Sequence, residues 1–218
     1  MLPVQEVIIT GILFTVAAYL LGSLPFSLWI GRGFFDTDVR EHGSGNAGAT
    51  NTWRVLGWKA GLPVLLLDIS KGFAATFLPY IYSSLSSDPD LLLWIRVICG
   101  IAAAVGHIYP VLAGFRGGKA VATLFGVLLG LMPVPALACL GVFILIFISF
   151  RYVSLGSILA GISLPVLVYF LSDHPVQLMI FTGLISLLIL LTHRKNIGRL
   201  ARREESKLQL GRGKDNQA

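Results

Sequence analysis

Apolar residues fall along this chain in long runs separated by short polar breaks. A helix needs about 20 predominantly apolar residues to cross the hydrocarbon core of a bilayer. The runs predict seven helices, at about 5–30, 60–82, 91–112, 119–132, 135–150, 154–171 and 175–192. The fourth and fifth are short for a span, and one kinked helix through Pro133 and Pro135 is the rival reading. The first run follows Met1 with no Lys or Arg ahead of it and no small-residue cleavage site after it. It is expected to be a retained span, not a removable signal peptide.

Charge separates the two readings. With seven spans, one set of loops holds Arg32, Arg40, Arg54, Lys59, Arg116, Lys119 and Arg151, plus the basic tail after His193. The other set holds Asp88, Asp90 and Asp173 and no Lys or Arg. Fusing the fourth and fifth runs would throw the basic tail onto the opposite side from Arg32 and Lys119. The positive-inside rule therefore favours an all-α integral membrane protein: a seven-transmembrane-helix bundle, N-terminus outside and C-terminus cytoplasmic.

Composition agrees. The 218 residues are 55% hydrophobic and 13% charged, against about 25% charged in soluble domains. One polytopic membrane domain, 1–205, is expected, with 206–218 as a solvated, disordered cytoplasmic tail. From His193 onward eight basic residues face three acidic ones, +5 of the +6 net charge. Such a tail reads as a topology determinant or a contact to anionic membrane lipid. Nothing has the aromatic-plus-basic layout of a nucleic-acid binder. Cys99 and Cys139 lie inside apolar runs and read as small core hydrophobes. Small-xxx-small spacings, Gly126/Gly130 and Gly156/Ala160, suggest close helix packing. Asp68 and Lys71, at i and i+3 in the second run, read as a mutual ion pair or as substrate groups.

The polar breaks carry the chemistry. In this topology "HGSGNAGATN", "GHIYPVLAGFRGGKAVAT", "RYVS" and "HRKNIGRL" all lie on the cytoplasmic face. Glycines such as Gly43 and Gly45, or Gly117 and Gly118, let backbone N–H groups approach a ligand closely, and successive N–H groups form anion-binding nests. Ser44, Asn46, Thr50 and Asn51 add neutral donors. Arg54 falls where the second helix is expected to begin, and Lys119 is expected to open the fourth. Basic residues beside glycine loops and helix N-termini suit phosphate. Arg54, Lys119 and Arg194 or Arg199, from three loops, would together hold more than one phosphate.

Competing motifs fail on inspection. A P-loop needs a first glycine where Ala113 stands and Ser or Thr where Ala120 follows Lys119. The four histidines, His42, His107, His174 and His193, share no metal-ligand spacing, so no metal is expected. Ser44 is flanked at two residues by His42 and Asn46, not by the glycines of a nucleophile elbow. No histidine has an acidic residue five positions on, so the carboxylate-braced histidine of thioester acyltransferases is missing.

"GSGNAGATNTWRVLG", "GHIYPVLAGFRGGKAVAT" and "HRKNIGRLARREE" resemble the three signature segments of the bacterial acyl-phosphate:glycerol-3-phosphate acyltransferases, the PlsY family. "YLLGSLPFSLWIG", "LLDISKG" and "RYVSLGSI" are similar to that family too, and the likeness covers roughly residues 14–205. Arg203 stands where the family usually has glycine. The resemblance implies a seven-helix enzyme of the bacterial plasma (inner) membrane with a cytoplasmic active site. It implies transfer of a fatty acyl group from acyl phosphate to the 1-hydroxyl of sn-glycerol 3-phosphate, giving lysophosphatidic acid and inorganic phosphate. No cofactor is implied, and neither acyl-CoA nor acyl carrier protein is the donor.

For that reaction Ser44 and its neighbouring amides are expected to contact a phosphate, with Arg54 and Lys119 neutralising charge. Asn196 and Ser154 are expected to orient the acceptor. His193 is a general base or only a hydrogen-bond donor, and the substrate's own phosphate is a third destination for the proton. His107, before a Tyr-Pro turn, is read as structural. A transporter or flippase for a phosphorylated solute or lipid is the alternative, although an inverted repeat and midplane polar breaks are missing. A membrane protein whose basic loops merely bind head groups is another, which leaves the asparagine–glycine detail unexplained.

Overall fold

A computed structural model of the protein describes residues 4–82, 85, 87–173 and 176–208. His174 and the tail from 209 onward lie outside the described residues. The described elements are helices joined by loops and short 3-10 turns: α1 (Val4–Gly22), α2 (Phe26–Phe35), α3 (Ala49–Leu56), α4 (Trp58–Phe77) and α5 (Pro89–Ile108), then α6 (Val121–Leu131), α7 (Pro133–Phe150), α8 (Val153–Leu171), α9 (Val176–Thr192) and α10 (Arg194–Ala201).

Local chemistry sets these limits. Asp88 caps α5 by accepting the Leu91 N–H at 3.0 Å, and Pro89 takes the first turn, where its missing N–H costs nothing. Leu24 and Pro25 divide the predicted first span into α1 and α2. Met132, at φ −150° and ψ 76°, leaves the helical region and separates α6 from α7. The two then pack on different partners, α6 on α4 and α7 on α8, so one kinked helix through Pro133 and Pro135 is not what forms.

Five stretches among the described residues are long and apolar enough to cross a membrane: Val4–Phe35, Trp58–Ile81, Pro89–Ala113, Pro133–Phe150 and Val153–Leu171. α9 and α10, bent by 60°, add a sixth if taken together. α6, at 11 residues, is only about 17 Å long, against about 30 Å of hydrocarbon.

Helix contacts are close and their polar groups are satisfied internally, as a bilayer demands. Gly126 of α6 rests on the Ile69 carbonyl of α4, and Gly156 of α8 faces Phe143 of α7. Pro165 in α8 has no N–H for the Gly161 carbonyl four residues back; Ser186 Oγ of α9 reaches that oxygen at 2.7 Å. Arg96 of α5 donates to carbonyls at Thr76 and Gly130 and lies over the Tyr80 ring at 5.0 Å. Lys71 pairs with Asp68 at 2.9 Å and donates to the Leu24 carbonyl at 3.0 Å, which ties α4 to the break between α1 and α2.

Candidate active site

The polar segments meet at one end of the bundle. In the first, the Asn51 amide closes the loop on itself: Nδ2 donates to the carbonyls of Val39 at 2.6 Å and His42 at 3.1 Å, and Oδ1 accepts the Ser44 N–H at 2.8 Å. Gly43 sits at φ +60° directly over that amide, where a β-carbon would collide with Asn51 Oδ1. Asn46 Nδ2 donates to Ser44 Oγ at 3.2 Å, which leaves the hydroxyl proton of Ser44 for another acceptor.

Arg54 does not begin the second span. Residues from Ala49 form the separate helix α3, ended by Gly57 at φ +83°, and Arg54 lies in its last turn. The guanidinium is half-buried, lines the cavity described below, and makes no hydrogen bond or ion pair among the described residues.

The second segment is laced to the first. The Gly118 and Gly117 N–H groups donate to the carbonyls of His107 and Ile108, both at 3.2 Å, and the Ala47 N–H donates to Gly117 at 3.4 Å. Lys119 precedes α6 rather than opening it, because Ala120 takes a left-handed conformation at φ +60° and the helix begins at Val121. Lys119 Nζ donates to Asn196 Oδ1 of α10. His107 is buried on Thr123 Oγ1 at 3.1 Å, with Asp68 Oδ1 at 3.5 Å.

The third segment supplies a group the sequence reading passed over. α10 ends in a left-handed turn at Arg203, φ +60°. The Glu204 N–H donates to Arg199 at 2.8 Å and the Arg203 N–H to Leu200 at 3.1 Å, the bond pair of a Schellman motif. The chain then reverses and brings Glu205 into the site. Its carboxylate accepts from Ser154 Oγ at 2.7 Å, Asn196 Nδ2 at 2.6 Å and Arg199 Nε at 2.7 Å. The expected solvated tail is in contact with the site for three residues more, since Ser206 and Leu208 line the cavity and the Leu208 N–H donates to Arg151 at 3.0 Å. A free acid past a basic helix carries no sequence signal of burial.

These groups line one cavity of about 590 Å³. Ser44, Arg54, Lys119, His193, Asn196 and Ser154 all face it, as do Gly43, Asn46, Thr50, Asn51 and Gly118. Gly45 and Gly117 do not; they shape the loops behind it. Arg199 and Glu205 are additional. From this polar end the cavity runs between helices over Phe125, Leu128, Leu140, Phe143, Leu164 and Ile185. Ser154, Ser157, Gly161 and Leu164 form one stripe of α8, and Ser154 to Leu164 spans about 15 Å along the helix.

Electrostatics favour an anion. Arg54, Lys119 and Arg199 confront Glu205; the other lining carboxylate, Asp68, is already paired with Lys71 at 2.9 Å. Burial pushes the Lys119 ammonium down from 10.5 to about 8; Glu205 works to raise it, and Arg199 and Arg54 add to the depression. Burial also works to raise the Glu205 carboxyl, but the bonds from Ser154, Asn196 and Arg199 outweigh it and hold the group below its ordinary range. His193 Nδ1 lies 2.9 Å from the Ile189 carbonyl, which only accepts, so Nδ1 carries a proton; burial disfavours a second one, which leaves Nε2 of this cavity-lining side chain as its acceptor atom.

A family model described as glycerol-3-phosphate acyltransferase matches residues 12–203. A glycerol-3-phosphate acyltransferase of Chlorobaculum tepidum is 41% identical, the alignment covering 94% of this chain and 99% of that protein. One of Listeria welshimeri is 43% identical over 91% of this chain and 96% of its own. The crystal structure of PlsY (YgiH), an integral membrane glycerol 3-phosphate acyltransferase in its glycerol 3-phosphate form, superposes with a TM-score of 0.82 at 38% identity, covering 91% of this chain and 96% of that one. Its lysophosphatidic acid form gives 0.79 at 37%, with 92% and 96% covered. By sequence along nearly its whole length and by fold, the chain belongs to the glycerol-3-phosphate acyltransferase family.

Proposed function

We propose that this chain transfers a fatty acyl group from acyl phosphate to the 1-hydroxyl of sn-glycerol 3-phosphate, giving lysophosphatidic acid and inorganic phosphate in the first acylation step of phospholipid biosynthesis. The observation that carries the reading is the two-part cavity: three cationic side chains at one end and an apolar limb at the other. Both substrates are anions with a phosphate to seat, and one brings an acyl chain.

Acyl phosphate is a mixed anhydride with an activated carbonyl and a good leaving group. Catalysis then consists mainly of holding two anions together and aligning hydroxyl with carbonyl. Arg54, which has no hydrogen-bond or ion-pair partner among the described residues, and Lys119 take phosphate charge, and the Ser44 hydroxyl donates to a phosphate oxygen. Asn196 bridges Lys119 to Glu205, so it and Ser154 hold the carboxylate that spaces the cations. The 1-hydroxyl attacks the carbonyl carbon, the tetrahedral intermediate collapses, and the C–O bond to phosphate breaks. The hydroxyl proton passes to His193 Nε2 or to a phosphate oxygen. No nucleotide or carrier-protein donor is needed. The same reading places seven spans in the bacterial inner membrane, with the N-terminus outside and the cavity opening to the cytoplasm.

The test is phosphate release by purified protein from palmitoyl phosphate, with and without glycerol 3-phosphate, beside a palmitoyl-CoA reaction and a Ser44→Ala control. The expected result is acceptor-dependent release from acyl phosphate alone, lost in the control. No release from folded protein overturns the reading in favour of a phosphate-handling transporter. His193→Gln separates the proton routes: a loss of several orders of magnitude in kcat with little change in KM assigns the base to His193, and retention of substantial turnover assigns it to substrate phosphate. C-terminal reporter fusions and cysteine labelling test the orientation.

A further inference from the structure

A second cavity, of about 630 Å³, lies beside the first and shares no lining residue with it. Its cations are Arg32, Arg40 and Arg116, and no carboxylate lines it. Asp38 spans two of them, pairing with Arg32 and with Arg40 at 2.8 Å each. Arg40 is held in place further by its bond to the Ala113 carbonyl at 3.0 Å. Arg116 is exposed and has no hydrogen-bond or ion-pair partner among the described residues, and the Arg32 side chain is 61% exposed. Asp38 and, through space, Glu41 offset the charge around Arg40, while the three guanidinium groups stay in excess and Arg116 carries the unpaired charge.

The surroundings are apolar and uncovered. Trp29 and Leu112 line the cavity while 51% and 54% exposed, and Phe115, next to Arg116, is 59% exposed. Gly114 and Phe115 both take left-handed conformations, at φ +63° and +59°, which costs Phe115 strain that burial of its ring does not repay. The cavity also sits where two candidate spans finish: Arg32 lies near the end of Val4–Phe35, and Leu112 at the end of Pro89–Ala113. Tryptophan and arginine at the end of a span mark the level of the lipid head groups.

We propose that this cavity binds the head group of an anionic phospholipid from the surrounding leaflet, its phosphate monoanion on Arg116 and Arg32 and its upper acyl chain against Trp29, Leu112 and Phe115. A soluble phosphate shares the head-group chemistry but gives those exposed apolar side chains nothing to cover. The cavity and the catalytic one are lined by adjacent stretches of the same two loops: Arg40 against Gly43–Asn51, and Leu112–Arg116 against Gly118–Ala120. A lipid seated here buttresses the loop that carries Lys119.

The experiment uses full-length protein in phosphatidylcholine nanodiscs, with tail-brominated phosphatidylglycerol or tail-brominated phosphatidylcholine as the quencher. The reporter is the fluorescence lost in Trp29→Phe. The expected result is quenching by phosphatidylglycerol at about a tenfold lower mole fraction than by phosphatidylcholine, from two interfacial arginines. In an Arg32→Gln, Arg116→Gln double variant the two lipids should quench alike, while Lys119→Ala keeps the preference, which excludes the catalytic cavity as its source. Acyltransfer by the double variant in detergent verifies its fold, and a single Arg116→Gln variant with a partial loss serves if the double one fails to fold. Equal quenching in the wild type overturns the proposal, as does a preference that survives both substitutions. A preference abolished by millimolar inorganic phosphate also overturns it, in favour of a soluble-anion site.

Discussion

Arg203 holds a conformation that its β-carbon disfavours by roughly 1 kcal/mol, at the one place where α10 must stop and the chain must turn back. A glycine there would avoid the cost, which gives the departure noted in the sequence a physical meaning: the turn is kept and strained, not lost. Arg203→Gly is expected to stabilise the protein by about 0.5–1 kcal/mol with kcat unchanged, as thermal unfolding in detergent and a turnover assay would show. A drop in stability would mean that the side chain holds the turn by a contact. Lys119 has a pH signature. With its pKa pushed down to about 8, the ammonium is present below that value and lost above it, while phosphate gains its second charge above about pH 6. The KM for glycerol 3-phosphate is expected to be lowest between these limits and to rise above pH 8. In Lys119→Arg, which stays charged, the alkaline rise should disappear even if turnover suffers; its persistence would assign the ionisation elsewhere. Arg54→Lys exchanges a planar fork for a point charge and should cut kcat/KM at least tenfold; near-normal kinetics would remove Arg54 from the phosphate site.

Helix positions were legible in the sequence because a bilayer asks for long apolar runs and supplies no other way to bury them. Their interruptions were less so. Ser23 to Pro25 break the first run with too little polarity to register, and α3 hides behind a glycine-rich approach that reads as loop. Ser44, Arg54 and Lys119, the residues proposed to handle phosphate, were readable as candidates because they sit in breaks that no span requires, and the structure brings them to one cavity. Glu205 was not, since its burial depends on a turn after α10. Nor was the apolar limb: α7 is apolar all round, and the small residues Ser154, Ser157 and Gly161 that mark the lining face of α8 read equally well as close helix packing. Packing between α4 and α6 sets where Lys119 emerges. Gly72 meets the Thr123 carbonyl and Gly126 the Ile69 carbonyl so closely that a β-carbon at either would overlap backbone. Gly126→Leu is expected to cost about 1–3 kcal/mol and to lower activity with it, and a fully active, equally stable variant would show that the two helices can part without disturbing the site.

At the scale of the molecule, one cavity joins a charged mouth to a lipid-like interior. Ala160 lies on the α8 stripe six residues beyond Ser154, about 9 Å down the limb. Ala160→Phe should obstruct the far end, so that kcat/KM falls at least tenfold for palmitoyl phosphate and little for a short acyl phosphate, measured with glycerol 3-phosphate saturating. Equal losses for both would place the acyl chain elsewhere. The charged mouth has its own asymmetry. Every cation in it belongs to a segment synthesised before Glu205, and the carboxylate that spaces them follows the exposed pair Arg202–Arg203. A single cut after Arg203 would leave every described helix whole and free the carboxylate that holds Ser154, Asn196 and Arg199, so limited trypsin digestion is expected to lower turnover without unfolding the bundle.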